Sequence, residues 1–341
     1  MRDFENYSLK AHNTFGIEAK CSRFLEYENV AEAQEVAGIL RESDTPYIII
    51  GGGSNLLLTQ DFDGFVVHSR LMGTGPVSRE MQLMGPVPVS CGSGEVWDDV
   101  VAYCIAHGLY GMENLSLIPG DVGASAVQNI GAYGAEAKDL IVEVEAVEIA
   151  SGRLVTFRGE DCGYGYRDSK FKHEWKNKYL ITHVTYQLST TFEPRLDYGN
   201  IRSELERKGI TTPTAQQLRD TIIEIRNAKL PDPKVMGNAG SFFMNPIVSR
   251  EKYETLAVQY EGMPHYDIDA DKVKIPAGWM IDQCGWKGKS LGRAGVHDKQ
   301  ALVLVNRGGA TGAEIVALCE TIRKDVKAKF DIDIHPEVNI I

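Results

Sequence analysis

No segment of the chain approaches the roughly 20 consecutive apolar residues that a bilayer-spanning helix requires, and the amino terminus, MRDFENYSLK, carries acidic residues where an export signal has an apolar core. Positive charge is also in deficit: 36 Lys and Arg stand against 47 Asp and Glu, a formal net charge of −11. A surface of that balance does not displace counterions from nucleic acid or anionic lipid, although a local basic pocket for a small anion is compatible with it. Cysteine is sparse and unpatterned. The six cysteines, Cys21, Cys91, Cys104, Cys162, Cys284 and Cys319, form no C-x-x-C pair and have no histidine at zinc-site spacing. They are read as the reduced thiols of a cytosolic protein, and no metal is expected. No internal repeat or low-complexity tract is present. The expectation is a cytoplasmic protein that acts on a small molecule, with no nucleic acid, no membrane and no obligate protein partner.

What is present is an ordinary globular composition, 43% hydrophobic and 24% charged over 341 residues, which calls for two or three packed units. The spacing of Val30, Ala33, Val36, Ala37 and Leu40 predicts a helix leading into the β-branched run Tyr47–Ile50, which three glycines stop. Residues 65–67 read as a strand so soon afterwards that no crossover helix fits between. Val96, Val100, Val101, Cys104 and Ile105 predict a helix over 95–107 closed by Gly108 in the left-handed conformation. The runs 141–149, 153–158 and 179–188 read as strands.

Composition changes across 190–213, which is taken as a boundary. Beyond it Thr214 caps a helix bearing Leu218, Ile222 and Ile225 that the prolines of KLPDPK stop. Further helices are expected from Ser249 and from Thr311, the second with a Thr311/Glu314 capping box. In the terminal DIDIHPEVNII, Ile332, Ile334, Val338 and Ile340 share one parity, while Asp333, His335, Glu337 and Asn339 share the other. That period predicts a strand with Glu337 on its polar face.

Two glycine-rich segments carry the first chemical signal. Gly51, Gly52, Gly53, Ser54 and Asn55 follow a strand but lack the G-x-G-x-x-G spacing and the helix of a Rossmann turn. Clustered glycines let backbone N–H groups converge on an anion such as a pyrophosphate; they also suit a tight turn between strands. In IPGDVGASAVQNIGAYG, Gly120, Gly123, Gly131 and Gly134 suit either close approach to a flat ligand or a packed connection. Together the two segments favour a dinucleotide held outside a Rossmann fold.

The polar candidates are scattered. Arg167, within the run Tyr164, Gly165, Tyr166, Arg167, Asp168, Ser169, has the planar fork that suits a carboxylate, while Asp168 beside it suits a structural ion pair. Ser241 in GNAGSFFMNP lies on an irregular segment, either as a catalytic hydroxyl or bonded to local backbone. Lys229 and Lys234 flank the prolines of KLPDPK, facing a diphosphate or complementing a helix end. Glu337 is an acid or charge-positioning group, or a solvated strand residue.

Taken in order, NTFGIEA near residue 13, IIIGGGSNLL at 48–57, ENLSLIPGDVGASAVQNIGAYG at 113–134, CGYGYRDS at 162–169 with FKH after it, KLPDPKVMGNAGSFFMNP at 229–246, PAGWMIDQCGWKG at 276–288, AGVHDKQALVLVN at 294–306 and HPEV at 335–338 resemble the UDP-N-acetylenolpyruvoylglucosamine reductase (MurB) family. The resemblance runs the length of the chain. It implies an α+β fold: an FAD-binding domain of the vanillyl-alcohol-oxidase (PCMH) type over 1–200, in two subdomains of roughly 1–68 and 69–200, and a separate α+β substrate-binding domain over 214–326. A C-terminal strand, 327–341, then returns to the FAD domain and carries Glu337 toward the other sites. Residues 254–275, with YEGMPHYDIDAD, resemble the tyrosine-bearing loop of type I members, Tyr266 being the matching residue.

The implied reaction is NADPH-dependent, FAD-mediated reduction of UDP-N-acetylglucosamine enolpyruvate to UDP-N-acetylmuramate in peptidoglycan precursor synthesis. FAD is implied to be non-covalent, since the GGGSN loop has no histidine or cysteine to tether it. By resemblance Ser241 is the proton donor, and Arg167 with Glu337 polarises the substrate carboxylate. Tyr166, Tyr198, Lys229, Asn245, Tyr266 and Gln300 match substrate positions. Gly51, Gly52, Gly53, Ser54, Asn55, Pro119, Gly120, Gly123, Asn129, Gly131 and Tyr133 match the flavin loops. Met244 stands where the family form has Lys, which removes a positive charge near the substrate path, and Ala126 where Pro is usual. A flavin oxidase on the same fold would not need the KLPDPK, GSFFMNP and PAGWMIDQCGW segments, and a non-catalytic nucleotide-sugar sensor would not need Ser241, Arg167 and Glu337 together.

Overall fold

The computed structural model describes residues 1–76 and 85–341, and the chain folds as two units: Met1–Tyr7, Cys21–Gly53 and Phe62–Ala228 form the first, and Ser8–Lys20, Ser54–Asp61 and Lys229–Ile341 the second.

Among its described residues the first unit contains a two-stranded ribbon, Gly131–Ala132 with Ala135–Glu136, and two larger sheets. In one, the strands Arg2–Ser8, Lys20–Tyr27, Phe62–Ser69 and Tyr47–Ile50 lie in that order. Phe62–Ser69 pairs in parallel with both Lys20–Tyr27 and Tyr47–Ile50. Parallel neighbours usually need a crossover of about a dozen residues with a helix; here, as the sequence spacing required, no helix lies between Ile50 and Phe62. Helix α1, Val30–Arg41, begins at Asn29, whose side chain accepts from the Glu32 N–H. It buries Ala33, Val36, Ala37 and Leu40 with Leu25, Val67, Val147 and Leu180.

The other sheet is antiparallel, in the order Leu154–Arg158, Ile141–Glu148, Tyr179–Leu188, Val87–Gly92, Thr74–Pro76. Its residues Val89, Val144, Val184 and Tyr186 share a core with Val101 of α2, Trp97–Ala106, and Val122 of α3, Val122–Gln128. Gly108 closes α2 at φ +69, the amides of Gly108 and Leu109 donating to Ile105 and Cys104 carbonyls. Helix α3 corrects the reading of 119–134 as continuous loop. Small residues that suit a ligand-facing loop also suit a helix packed close, and a Cβ on Gly123 would stand 3.0 Å from Ser93 Cβ.

Helices α4, Ile201–Arg207, and α5, Ala215–Lys229, cluster through Ile201, Leu205, Leu218, Ile222 and Ile225. Thr214 Oγ1 accepts from the Gln217 N–H while Gln217 Oε1 accepts from the Thr214 N–H. Because α4 forms inside 190–213 and packs on α5, that stretch lies within the first unit, and the chain leaves it at Lys229.

The second unit carries α6, Arg250–Gln259, α7, Ala277–Gln283, and α8, Gly312–Phe330. Ser249 caps α6, and the Thr311/Glu314 box opens α8, as expected. Ile315, Leu318, Cys319, Ile322 and Val326 of α8 share a core with Phe15, Leu57, Phe242, Met280, Ile281 and Leu304. Residues 254–275, expected as a loop, instead complete α6 and form the strands Tyr266–Asp267 and Lys272–Lys274. The terminal strand is shorter than its pattern. Ile332, Ile334 and Val338 are buried in alternation, but only Asn339–Ile340 forms a ladder, parallel to Leu56–Leu57, and Ile340 is 42% exposed. Upstream of it Pro336 makes an isolated antiparallel bridge with Phe243, flanked by the Met244 N–H donating to His335 O and the Glu337 N–H donating to Phe242 O. Among the described residues no helix is long and apolar enough to cross a membrane, and all six cysteines are free thiols.

Candidate functional site

In the first unit the two glycine segments meet. A Cβ on Gly52 would lie 2.9 Å from Asp121 Oδ1 and 3.3 Å from Gly120 Cα, and one on Gly51 would lie 3.1 Å from Ala124 Cβ. Gly53 takes φ +66 and Gly120 φ +115, values that an L side chain strains to adopt. The result is a glycine cradle seated against Asp121 and Ala124, with no room for a side chain at Gly51 or Gly52. Gly123 anchors its floor, the amide donating to Ser93 O at 2.9 Å.

Asn129, Gly131 and Arg167 form a second cluster in this unit. Gly165 and Asp168 exchange backbone hydrogen bonds of 3.0 and 3.2 Å, which makes Tyr166 and Arg167 the corners of a two-residue turn. Arg167 therefore sits at φ +56, a left-handed conformation that costs about 1 to 2 kcal/mol in an L residue. Its Nη2 donates to Gly131 O at 2.5 Å and its Nη1 to Asn129 O at 3.4 Å, and its guanidinium lies 5.5 Å from the Tyr166 ring. Asn129 Nδ2 donates in turn to Gly165 O at 2.7 Å. The Asp168 carboxylate faces His173 Nε2 at 2.6 Å. Tyr133, at φ +49, meets Tyr198 edge to face with centroids 6.4 Å apart.

One residue that sequence reasoning passed over belongs with them. Arg226 Nε is shielded from solvent and has no hydrogen-bond partner among the described residues. Burial holds its guanidinium below the ordinary arginine value, Tyr133 and Asp98 oppose that, and nearby Arg167 reinforces it. A buried guanidinium with an unpartnered Nε calls for an acceptor or an anion beside it. The available signal was a basic residue four positions after Ile222, on the stripe of α5 that faces inward.

In the second unit Ser241 follows Gly240, which takes φ +68, and is solvent-exposed; its hydroxyl makes no hydrogen bond among the described residues. The next residue is held on both sides: the Phe242 N–H donates to Leu302 O at 2.7 Å and its carbonyl accepts from Glu337 N–H at 2.8 Å. Ser241 and Glu337 are thus brought onto adjoining strands of backbone. Asn55 joins them, its Nδ2 donating to Glu337 O at 3.2 Å, while Ser54 precedes it. Asn245 Oδ1 accepts from Ala277 N–H at the start of α7, and Gln300 Oε1 would lie 3.1 Å from a Cβ on Gly278. Tyr266 is exposed on its hairpin under Lys274 Nζ, 5.7 Å from the ring centroid. Lys229 is the exposed last residue of α5, and Pro119 leads into Gly120. Arg167 lies in the first unit, and Ser241 and Glu337 in the second.

The glycine cradle and the unsatisfied Arg226 fit a flat anionic dinucleotide. Comparison with known proteins agrees. Residues 22–158 match an FAD binding domain, and residues 232–341 match the UDP-N-acetylenolpyruvoylglucosamine reductase C-terminal domain. Over 338 residues, covering 99% of both chains, the sequence is 56% identical to UDP-N-acetylenolpyruvoylglucosamine reductase of Bacteroides fragilis. It is 46% identical over 337 residues to that of Porphyromonas gingivalis, covering 99% of this chain and 98% of the relative, and 43% identical over 334 residues to that of Burkholderia multivorans, covering 97% and 95%. The fold matches the crystal structure of MurB from Thermus caldophilus with a TM-score of 0.66 at 22% identity, over 99% of this chain and 98% of that one. The expected α+β fold with an FAD-binding domain is borne out.

Proposed function

The chain belongs to the UDP-N-acetylenolpyruvoylglucosamine reductase family, and we propose that it reduces UDP-N-acetylglucosamine enolpyruvate to UDP-N-acetylmuramate for peptidoglycan synthesis, with NADPH as the electron source and FAD held non-covalently. FAD, which Gly51 to Asn55 and the Pro119 to Tyr133 segment would hold, would supply the hydride chemistry between NADPH and the terminal carbon of the enolpyruvyl ether.

The side chains have the complementary work. Addition at the terminal carbon leaves negative charge on the adjacent carbon and its carboxylate. Arg167, fixed by its turn, presents a planar cation to that charge, and Glu337 orients the carboxylate. Ser241 delivers a proton to the carbon. Serine is a weak acid in water, so its part depends on a very basic carbon and a hydroxyl held in line. Met244 brings no charge to the path beside it. Tyr166, Tyr198, Lys229, Asn245, Tyr266 and Gln300 are assigned to the substrate, and the two glycine segments with Asn129 and Tyr133 to FAD. The enzyme is assigned to the cytoplasm, where its nucleotide substrates are dissolved, acting without an obligate protein partner.

The observation that carries this reading is the Glu337 N–H to Phe242 O bond, which sets Glu337 beside the one exposed, uncommitted hydroxyl of GNAGSFFMNP. Its test is an anaerobic titration. The yellow protein should bleach with NADPH and recover its absorbance on addition of the enolpyruvyl sugar nucleotide, with a product two hydrogens heavier by mass spectrometry. Recovery with oxygen but not with the sugar nucleotide would identify an oxidase instead.

A further inference from the structure

Beside the glycine cradle the first unit holds a buried row of charge that the reaction does not use. Glu26 Oε1 lies 2.9 Å from His68 Nδ1, and Asp121 Oδ2 lies 3.4 Å from His68 Nε2. The three side chains are 7%, 15% and 11% exposed. A neutral imidazole has one donor and one acceptor, so it satisfies only one of these carboxylates; an imidazolium satisfies both. Burial acts to lower the ring's titration point, but the hydrogen bonds and charges of Asp121 and Glu26 outweigh it, and His68 titrates above its ordinary value. Among the described residues Arg2 also faces the row, its Nη1 3.8 Å from Glu26 Oε2, and the Phe24 ring lies 6.2 Å from the imidazole.

Asp121 occupies the N-cap position of α3, yet its side chain makes no capping bond. Its oxygens abut the glycine pair instead: a Cβ on Gly52 would stand 2.9 Å from Oδ1 and one on Gly51 3.4 Å from Oδ2. A bare carboxylate at that turn opposes any anion the glycine amides receive, whereas one paired with a buried cation does not.

We propose that His68 is a positioning residue for the cofactor: as an imidazolium bridging Glu26 and Asp121 it neutralises the carboxylate set against Gly51 and Gly52, so that the FAD pyrophosphate is held more tightly when the ring is protonated. This deepens the flavoprotein reading and rests on it. Linkage is reciprocal, so bound FAD in turn favours the protonated ring.

The test measures FAD dissociation from the holoprotein, by recovery of free-flavin fluorescence on dilution, at about pH 6 and about pH 9. Wild-type protein should bind FAD about fivefold or more weakly at the higher pH, the lower end of ordinary coupling between two sites. His68→Gln should bind weakly at both pH values, and Asp121→Asn tightly at both. The double variant His68→Gln/Asp121→Asn should regain tight, pH-independent binding, which a merely structural role for His68 does not allow. Equal affinity of the wild type at both pH values, or a double variant as weak as His68→Gln alone, overturns the proposal. A wild-type chain that takes up no FAD at either pH overturns the flavoprotein reading along with it.

Discussion

Glu337 donates its backbone N–H to the carbonyl of Phe242 across 2.8 Å, which ties the end of the chain to the segment that presents Ser241. With the Met244 N–H donating to His335 O at 2.9 Å, it closes an isolated antiparallel bridge between Phe243 and Pro336, so Ser241 and Glu337 are positioned by that bridge rather than by a shared loop.

Replacing Ser241 by alanine separates the two halves of the reaction. Flavin reduction by NADPH needs no proton at a substrate carbon and should run nearly at the wild-type rate. Reoxidation by substrate should slow by about 10² to 10⁴, roughly 3 to 5 kcal/mol in the barrier. Anaerobic stopped-flow absorbance follows each half. Equal slowing of both halves would make Ser241 a structural residue of its loop.

Arg167→Lys keeps a cation at φ +56 but loses the planar fork. Turnover should fall about 10²-fold, with a smaller change in KM. Steady-state kinetics at saturating NADPH decides it, and an unchanged kcat places Arg167 away from the reacting centre.

Gly53→Val should expel FAD, because a branched Cβ at φ +66 adds strain of about 1 to 2 kcal/mol to a turn that must present its amides. Gly52→Val should do so through the 2.9 Å approach to Asp121 instead. Flavin-to-protein absorbance after gel filtration is the measure, and full occupancy in both variants would reduce the loop to a simple turn.

Arg226→Met should move two observables in opposite directions. Removing a guanidinium with an unsatisfied buried Nε should stabilise the flavin-free protein by about 1 to 3 kcal/mol, while weakening the binding of FAD or substrate. Denaturant unfolding of the apoprotein and ligand titration test the two arms. A loss of stability without loss of binding would show that the arginine serves only the fold.

Asp98 receives both Nη atoms of Arg219, at 2.6 and 2.9 Å, and the Leu117 amide. Burial raises its titration point, but these donors together lower it below the ordinary aspartate value. A carboxyl depressed in the folded state adds stability above its unfolded value, near pH 4, and loses it as pH falls through the lower folded value. Asp98→Asn should therefore cost about 3 kcal/mol at neutral pH and flatten the acid limb of the stability curve. Urea midpoints measured from neutral pH down to about pH 3 give both quantities.

Much of this was legible because local signals and tertiary structure agreed. The stripe of α1, the Gly108 stop, the caps at Thr214, Ser249 and Thr311, and the strand Tyr179–Leu188 are decided within a few residues of chain. The glycine loops could be suspected from composition, but their meeting depends on Asp121 and Ala124, some 70 residues away, and no local pattern encodes it. Helix α3 was hidden by the small residues that let it pack closely. The terminal strand is shorter than its pattern because burial alternates through Val338 even where the backbone makes only an isolated bridge, at Pro336. Arg226 was missed because only the fold shows that its Nε lacks a partner.

The chain passes between its two units five times, at 7/8, 20/21, 53/54, 61/62 and 228/229, and this interleaving fixes an order of assembly. During synthesis Phe15 and Leu57 emerge long before the core they complete. Asn55 waits for Glu337 across a separation of 282 positions, roughly 15 to 60 s of translation. Until the segment through Asn339 has emerged from the ribosome the core that takes up those early apolar residues is incomplete, so the second unit closes late, as a slow, long-range event. A nascent chain stalled short of Asn339 keeps Leu56–Leu57 without its strand partner, a species suited to chaperone capture and not to refolding by halves.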